Sequence, residues 1–399
     1  MRRRITIFLI AILLVTANMG PVPIVPSSLD PIKAMGRVVT YGIIMLAFLG
    51  FVISTLVGRK AAIPGIVTKV YCCFYLFYAF KLAAYGHYGQ ASVVLGVAVI
   101  YTSIFGFYLP MLVRKGVFDI TAVIVAIGLS NLILLALHLP LTMMPDQYTS
   151  QGRFFGLIYN PNVLSYSLAL SSCCLAATLR PLRPSIRLIV LCAALAGSAY
   201  ITTVTLSRGA LIILALSMVI NFYFFSRRAF KISLLATPAT VFVGALYFKD
   251  TPVYATFFAG RGNTRNDIWG QQWSQFIEWP LFGEPWLNAD VKFGENSYLG
   301  AAAAMGVFGV ILVALIIAPL LLRLRRDGWG RSLMPYTLRT DFQIAASFIG
   351  LLALSCVLEG LILGIVGSVI FSILLIDAGR IGTIRAVKSA EIHRRDRPA

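Results

Sequence analysis

The chain has 399 residues, 59% of them hydrophobic and only 12% charged, with a mean hydropathy of +0.85. That composition excludes a soluble globule and places the protein in a bilayer. The net charge of +19 would suit a nucleic-acid binder only if it were spread over a solvated face, so the placement of the positive residues decides its meaning.

A spanning helix needs roughly 20 mainly apolar residues, and about twelve stretches qualify. In chain order they are 5–19, 38–57, 62–84, 91–112, 117–138, 161–179, 187–205, 209–226, 232–248, 297–322, 342–358 and 361–377. The first follows Arg2, Arg3 and Arg4; no small-residue cleavage pattern comes after it, so it reads as an uncleaved span. Alternate breaks then carry Arg59 and Lys60, Arg114 and Lys115, Arg180, Arg183 and Arg187, Arg227, Arg228 and Lys231, and the group from Arg323 to Arg339. The tail beyond residue 379 is basic as well. This is the positive-inside pattern. It predicts an all-α polytopic membrane protein, one integral membrane domain over residues 1–399 with both termini cytoplasmic, and it makes nucleic acid an improbable partner.

Cys72, Cys73, Cys173, Cys174, Cys192 and Cys356 all fall inside these spans, where a thiol behaves as a small hydrophobe. His87, His138 and His393 have no metal-ligand spacing around them, so no metal and no cofactor is expected. No internal repeat of the kind that builds many transporters is visible.

Two outer segments stand out by length, 139–160 and 249–296. In the second, Trp269, Trp273 and Phe276 stand at i, i+4 and i+7, predicting a short amphipathic helix with Asn266 or Asp267 as N-cap. Pro280 and Pro285 end the pattern. Such a stripe either anchors the loop at the headgroup level or stacks on a sugar or lipid.

Four arginines lie on the outer side, where the positive-inside rule does not put them: Arg153, Arg208 in "TLSRGA", and Arg261 and Arg265 in "AGRGNTRND". They either snorkel and pair with outer acids or converge on a phosphate or diphosphate, which a guanidinium grips with two oxygens. Arg208 is the sharpest case, with almost no loop to solvate it and Gly209 beside it. Glu295, in "ENSYL", opens an apolar run. It can cap a helix or act as general base toward a hydroxyl. Lys81 is the chief ionisable group within a span. No D-x-D, P-loop or G-x-S-x-G motif occurs, so chemistry at the outer face needs a donor that is already activated and membrane-borne, with a diphosphate leaving group for arginines to stabilise.

The stretches "GRFFGLIYNPNVLSYSLAL", "TLSRGALIILAL", "GRGNTRNDIWGQQWSQFIEWPLFG" and "ENSYLGAAAAMGVFG", in that order over about 150–315, resemble motifs of the O-antigen ligase and polymerase superfamily of bacterial membrane glycosyltransferases. The resemblance implies a GT-C-like fold in the bacterial inner membrane with its active site on the periplasmic face. It also implies metal-independent transfer of a glycan from undecaprenyl diphosphate to an acceptor hydroxyl. Partners would be the lipid-linked oligosaccharide donor, the glycan acceptor, membrane lipids and a chain-length regulator. Arg153, Arg208, Arg261 and Arg265 match arginines thought to hold the diphosphate. Asn160, Asn162 and Asn296 match positioning asparagines, with Tyr298, Trp269 and Trp273 beside them. Ligases of this group carry His where this chain has Glu295, which points to the polymerase branch, with the ligase as alternative and a lipid-linked glycan transporter as a third reading.

Overall fold

The computed structural model describes residues 1–19, 30–58, 64–113, 118–144, 149–150, 153–158, 160–226, 228, 230–234, 264–288, 296–329, 334–363 and 367–395. The expected span 232–248, Arg261, Glu295 and much of the outer loop 249–296 lie wholly or mostly outside them.

Helices run Arg2–Thr16 (α1), Asp30–Leu56 (α2), Ile66–Ala84 (α3) and Tyr88–Tyr101 (α4), continuing through a π-helical stretch, Thr102–Tyr108, into Leu109–Val113 (α5). Then come Ile120–His138 (α6), Pro161–Ser172 (α7), Leu175–Thr178 (α8), Pro184–Val204 (α9) and Arg208–Phe225 (α10). Thr264–Glu278 (α11), Ser297–Trp329 (α12), Tyr336–Leu358 (α13) and Ser368–Arg395 (α14) complete the described helices. The only ladder among the described residues pairs Thr149–Ser150 (β1) antiparallel with Arg153–Phe154 (β2).

Eight of the described segments are long and apolar enough to cross a membrane, and they make a multi-pass all-α membrane protein. Their outward faces are apolar, as lipid requires: Leu46 is 70% exposed and Phe80 71%. Polar groups turn inward instead. Asn131 on α6 donates to the Leu168 carbonyl at 2.9 Å and the Ser171 hydroxyl at 3.2 Å, tying α6 to α7.

Ion pairs gather the basic helix ends. Arg3 meets Asp119 at 2.9 Å, Arg180 meets Asp341 at 2.7 Å, and Arg380 meets Asp327 at 2.9 Å. These residues mark one end of the bundle, the basic end. The N-termini of α7, α10 and α12 stand at the other.

Three expected spans differ from the sequence reading. The stretch 161–179 is not one helix but breaks at Cys173 and Cys174. Asn221 of α10 fills the break: its amide donates to the Ser172 carbonyl at 2.7 Å and accepts from the Ala176 N–H at 2.8 Å. The stretch 91–112 passes through the π-helical turn, a local insertion that widens the helix. The stretch 361–377 lies across the start of α14, which begins at Ser368 and runs on through the basic tail. Asn18 caps that start, accepting from the Ser368 N–H at 3.0 Å.

Helix α12 is itself interrupted at Gly306, whose φ of +64° and ψ of −154° suit only glycine. The segment after α11 lies across the gap. The Val307 N–H donates to the Pro280 carbonyl and the Glu284 N–H to the Ala303 carbonyl, each at 2.8 Å. Lys81 of α3 completes the join. Its ammonium donates to the Phe282 carbonyl at 2.7 Å and the Ala304 carbonyl at 2.5 Å, and lies 4.5 Å from the centre of the Trp286 ring. Replacing Lys81 by Met keeps the stem but leaves both carbonyls without this donor. The expected loss is roughly 3 kcal/mol in unfolding of the purified protein; an unchanged unfolding transition would mean that other donors serve those carbonyls.

Candidate functional site

The site end is built from helix beginnings. Asn160 is the N-cap of α7, its side chain accepting from the Asn162 N–H at 2.8 Å, and Pro161 holds the first helical position, where its missing N–H costs nothing. Asn296 does the same for α12, accepting from the N–H groups of Tyr298 at 2.9 Å and Leu299 at 3.0 Å. Between them, α9 turns into α10 through Leu206, whose φ of +55° is the only positive value on a non-glycine among the described residues. A bulky side chain in that region costs on the order of 1–3 kcal/mol. The strained turn puts Ser207 and Arg208 at the start of α10 with no intervening loop.

Contacts link the three beginnings. The guanidinium of Arg153 on β2 donates through Nε to the Thr205 carbonyl at 2.8 Å and through Nη2 to the Asn162 side chain. Ser165 and Thr205 share a hydroxyl hydrogen bond at 2.5 Å, so α7 and the α9–α10 turn are bolted together. The backbone of Gly209 packs against the Tyr166 hydroxyl so closely that a methyl group would overlap it. That hydroxyl in turn faces Arg265 and Glu359. Arg265 of α11 stands 4.0 Å from the Glu359 carboxylate. The Ser297 hydroxyl donates to the Glu359 carbonyl at 2.9 Å, and Asn296 donates to the Val357 carbonyl at 2.8 Å, which closes the ring between α12 and the end of α13.

His138 supports this arrangement from below. Its Nδ1 bonds the Leu134 carbonyl at 2.8 Å and its Nε2 accepts from the Leu157 N–H at 3.2 Å, which fixes the neutral tautomer and pins the 153–158 segment that carries Arg153. The α7 N-terminus, the α10 N-terminus and the α12 N-terminus therefore share one end with Arg153, Arg208 and Arg265. Each contributes the partial positive end of its helix dipole, although the asparagine caps already accept from first-turn N–H groups of α7 and α12. Such an assembly favours an anion with several oxygens.

The predicted residues divide. Arg153, Asn160, Asn162, Arg265, Asn296 and Arg208 belong to this linked set, Arg208 being exposed at the first turn of α10. Tyr298 turns away from it, its hydroxyl donating to the Ala353 carbonyl at 3.2 Å. Helix α11 starts at Thr264, so Asn266 and Asp267 lie in its first turn rather than at an N-cap. Its inner face runs through Arg265, Trp269, Gln272 and Phe276, whereas Trp273 is 53% exposed. Trp273 lies at the edge of that stripe, more exposed than Trp269, with its ring 5.6 Å from that of Phe276.

Glu359 was not anticipated from the sequence. It lies in the break between two apolar runs, with a side chain only 11% exposed. A carboxylate so placed is the same kind of signal that singles out Arg208. No family model matches the chain, and no relative was found among curated proteins.

The Gly209–Tyr166 contact is directly testable. Gly209→Ala should destabilise the protein by about 1–3 kcal/mol through overlap with the hydroxyl, and adding Tyr166→Phe should restore much of that loss. Equal stability of Gly209→Ala and the parent would contradict the packing.

Proposed function

We propose that the protein is a membrane glycosyltransferase that polymerises a bacterial surface polysaccharide. It would transfer the growing glycan from undecaprenyl diphosphate to a sugar hydroxyl of a second lipid-linked repeat unit. The observation that carries this reading is the gathering of three helix N-termini and three arginines at one end of an apolar bundle. That is an environment for a diphosphate whose lipid tail lies in the membrane beside it.

In the proposed reaction the acceptor hydroxyl loses its proton to a carboxylate, and its oxygen attacks the anomeric carbon of the donor glycan. The bond from that carbon to the diphosphate breaks, the configuration inverts, and the diphosphate leaves with the electron pair. Arg153, Arg208, Arg261 and Arg265 stabilise the charge that develops on the leaving group. Glu295, directly before the α12 N-cap in sequence, is the assigned base. Glu359 holds Arg265 and is assigned to positioning. The active site would face the periplasm, by the positive-inside pattern.

Transfer to a lipid A-core acceptor, the ligase reaction, uses the same donor and the same leaving group. The polymerase is preferred because Glu295 stands where the ligases carry His. A transporter would be favoured by the break in α12, since discontinuous helices often flank transport sites. Here Lys81 and the 280–284 backbone occupy that break.

Purified protein reconstituted with a polyprenyl-diphosphate-linked oligosaccharide and no second acceptor should yield a ladder of repeat-unit multiples on a gel. A single unchanged band would count against polymerisation. Glu295→Gln and Arg208→Ala should each reduce turnover by at least about 100-fold while the protein still inserts and purifies. Near-normal activity in both would refute the mechanism.

A further inference from the structure

We propose that a cavity at the basic end, between α3, α12 and α14, binds the phosphodiester headgroup of an anionic membrane lipid. The cavity measures about 260 Å³, several times the roughly 30 Å³ share of one water. It is lined by Lys69, Arg323 and Arg385, each from a different helix, together with Pro64, Ile66 and Ile381.

The acids nearby are already engaged. Asp377 accepts from the Val67 N–H at 3.1 Å and so caps α3, while Asp327 pairs with Arg380 at 2.9 Å. Gly65, in the cavity wall, lets α3 approach that far, since a methyl group there would overlap the Asp377 carboxylate. Among the described residues, neither Lys69 nor Arg323 has a carboxylate within ion-pairing distance, while Arg380 is the cation paired with Asp327. Arg323 also lies within electrostatic reach of both Asp377 and Arg380. An anion entering the cavity relieves an excess of positive charge.

The apolar half of the lining selects the source of the phosphate. A free anion has nothing to place against Pro64, Ile66 and Ile381, whereas the glycerol and first methylenes of a phospholipid do. The cavity also sits where two candidate membrane spans, α3 and α12, reach the polar boundary, which is headgroup depth. This site is separate from the arginine cluster at the opposite end, so its occupancy does not depend on the glycosyltransferase reading.

Native mass spectrometry of the purified full-length protein, exchanged from mixed micelles of phosphatidylglycerol and phosphatidylcholine, tests the proposal. Phosphatidylglycerol should be retained in preference. Lys69→Gln with Arg323→Gln should weaken retention by roughly fivefold for each cation removed. The charge-preserving pair Lys69→Arg with Arg323→Lys should restore it, which separates binding from misfolding. Arg183→Gln with Arg228→Gln removes equal charge from exposed positions and should leave retention unchanged. Equal loss in both Gln pairs, or no preference for phosphatidylglycerol, would overturn the site. So would stabilisation by inorganic phosphate alone to which the lipid adds nothing, since that assigns the cavity to a free anion.

Discussion

Inside hydrocarbon a backbone N–H or C=O has no water to turn to, and each one left alone costs several kcal/mol. The architecture follows from how this chain meets that constraint wherever its helices stop being regular. Asn221 bridges the interruption between α7 and α8 by accepting from one side and donating to the other. Asn18 caps α14 from α1's C-terminal end, 350 residues away in sequence. Asp377 caps α3 across 310 residues. Lys81 and the segment after α11 complete α12. Each repair joins elements distant in the chain, so irregular backbone and tertiary structure are fixed by the same bonds.

The constraint also shapes the end of the bundle where the candidate site lies. A helix that begins at the membrane boundary turns the positive end of its dipole there, and three such beginnings are brought together by Arg153, Ser165, Gly209 and Ser297. The arginines do not share one role. Arg153 is held by the Thr205 carbonyl and by Asn162, which fixes its plane, whereas Arg265 stands 4.0 Å from a carboxylate. Arg208 is exposed at the mouth of a strained turn and has no hydrogen bond among the described residues.

The membrane class and most helix positions were legible because long apolar runs can do little else than span. The interruptions were not. Cys173 and Cys174 are as apolar as their neighbours, and Gly306 is one of several glycines in a small-residue run. Asn221 alone bridges the first break, and Lys81 joins the 280–284 backbone in closing the second; the sequence context of neither side chain gives a hint of its target. The site was legible in its polar exceptions, Arg153, Arg208 and Arg265, and in the capping asparagines 160 and 296. Glu359 was hidden in a two-residue gap between apolar stretches. The short helix α11 follows its periodicity, with Trp273 packed against Phe276, but the place of Arg265 beside Glu359 is a tertiary contact that periodicity does not encode.

The bond from Lys81 to Ala304 spans 223 residues. Ribosomes make chains from the N-terminus, so α3 enters the bilayer carrying an ammonium whose acceptors have not been synthesised. Until α12 and its crossing segment arrive, that charge can be tolerated only by reaching toward the nearby interface, for which its place one turn from the end of α3 is suited. The last quarter of the protein therefore completes the first. A ribosome that stops before residue 304 leaves behind a protein with an unsatisfied charge near the membrane edge, a mark by which quality-control proteases that inspect membrane helices could tell an unfinished chain from a finished one.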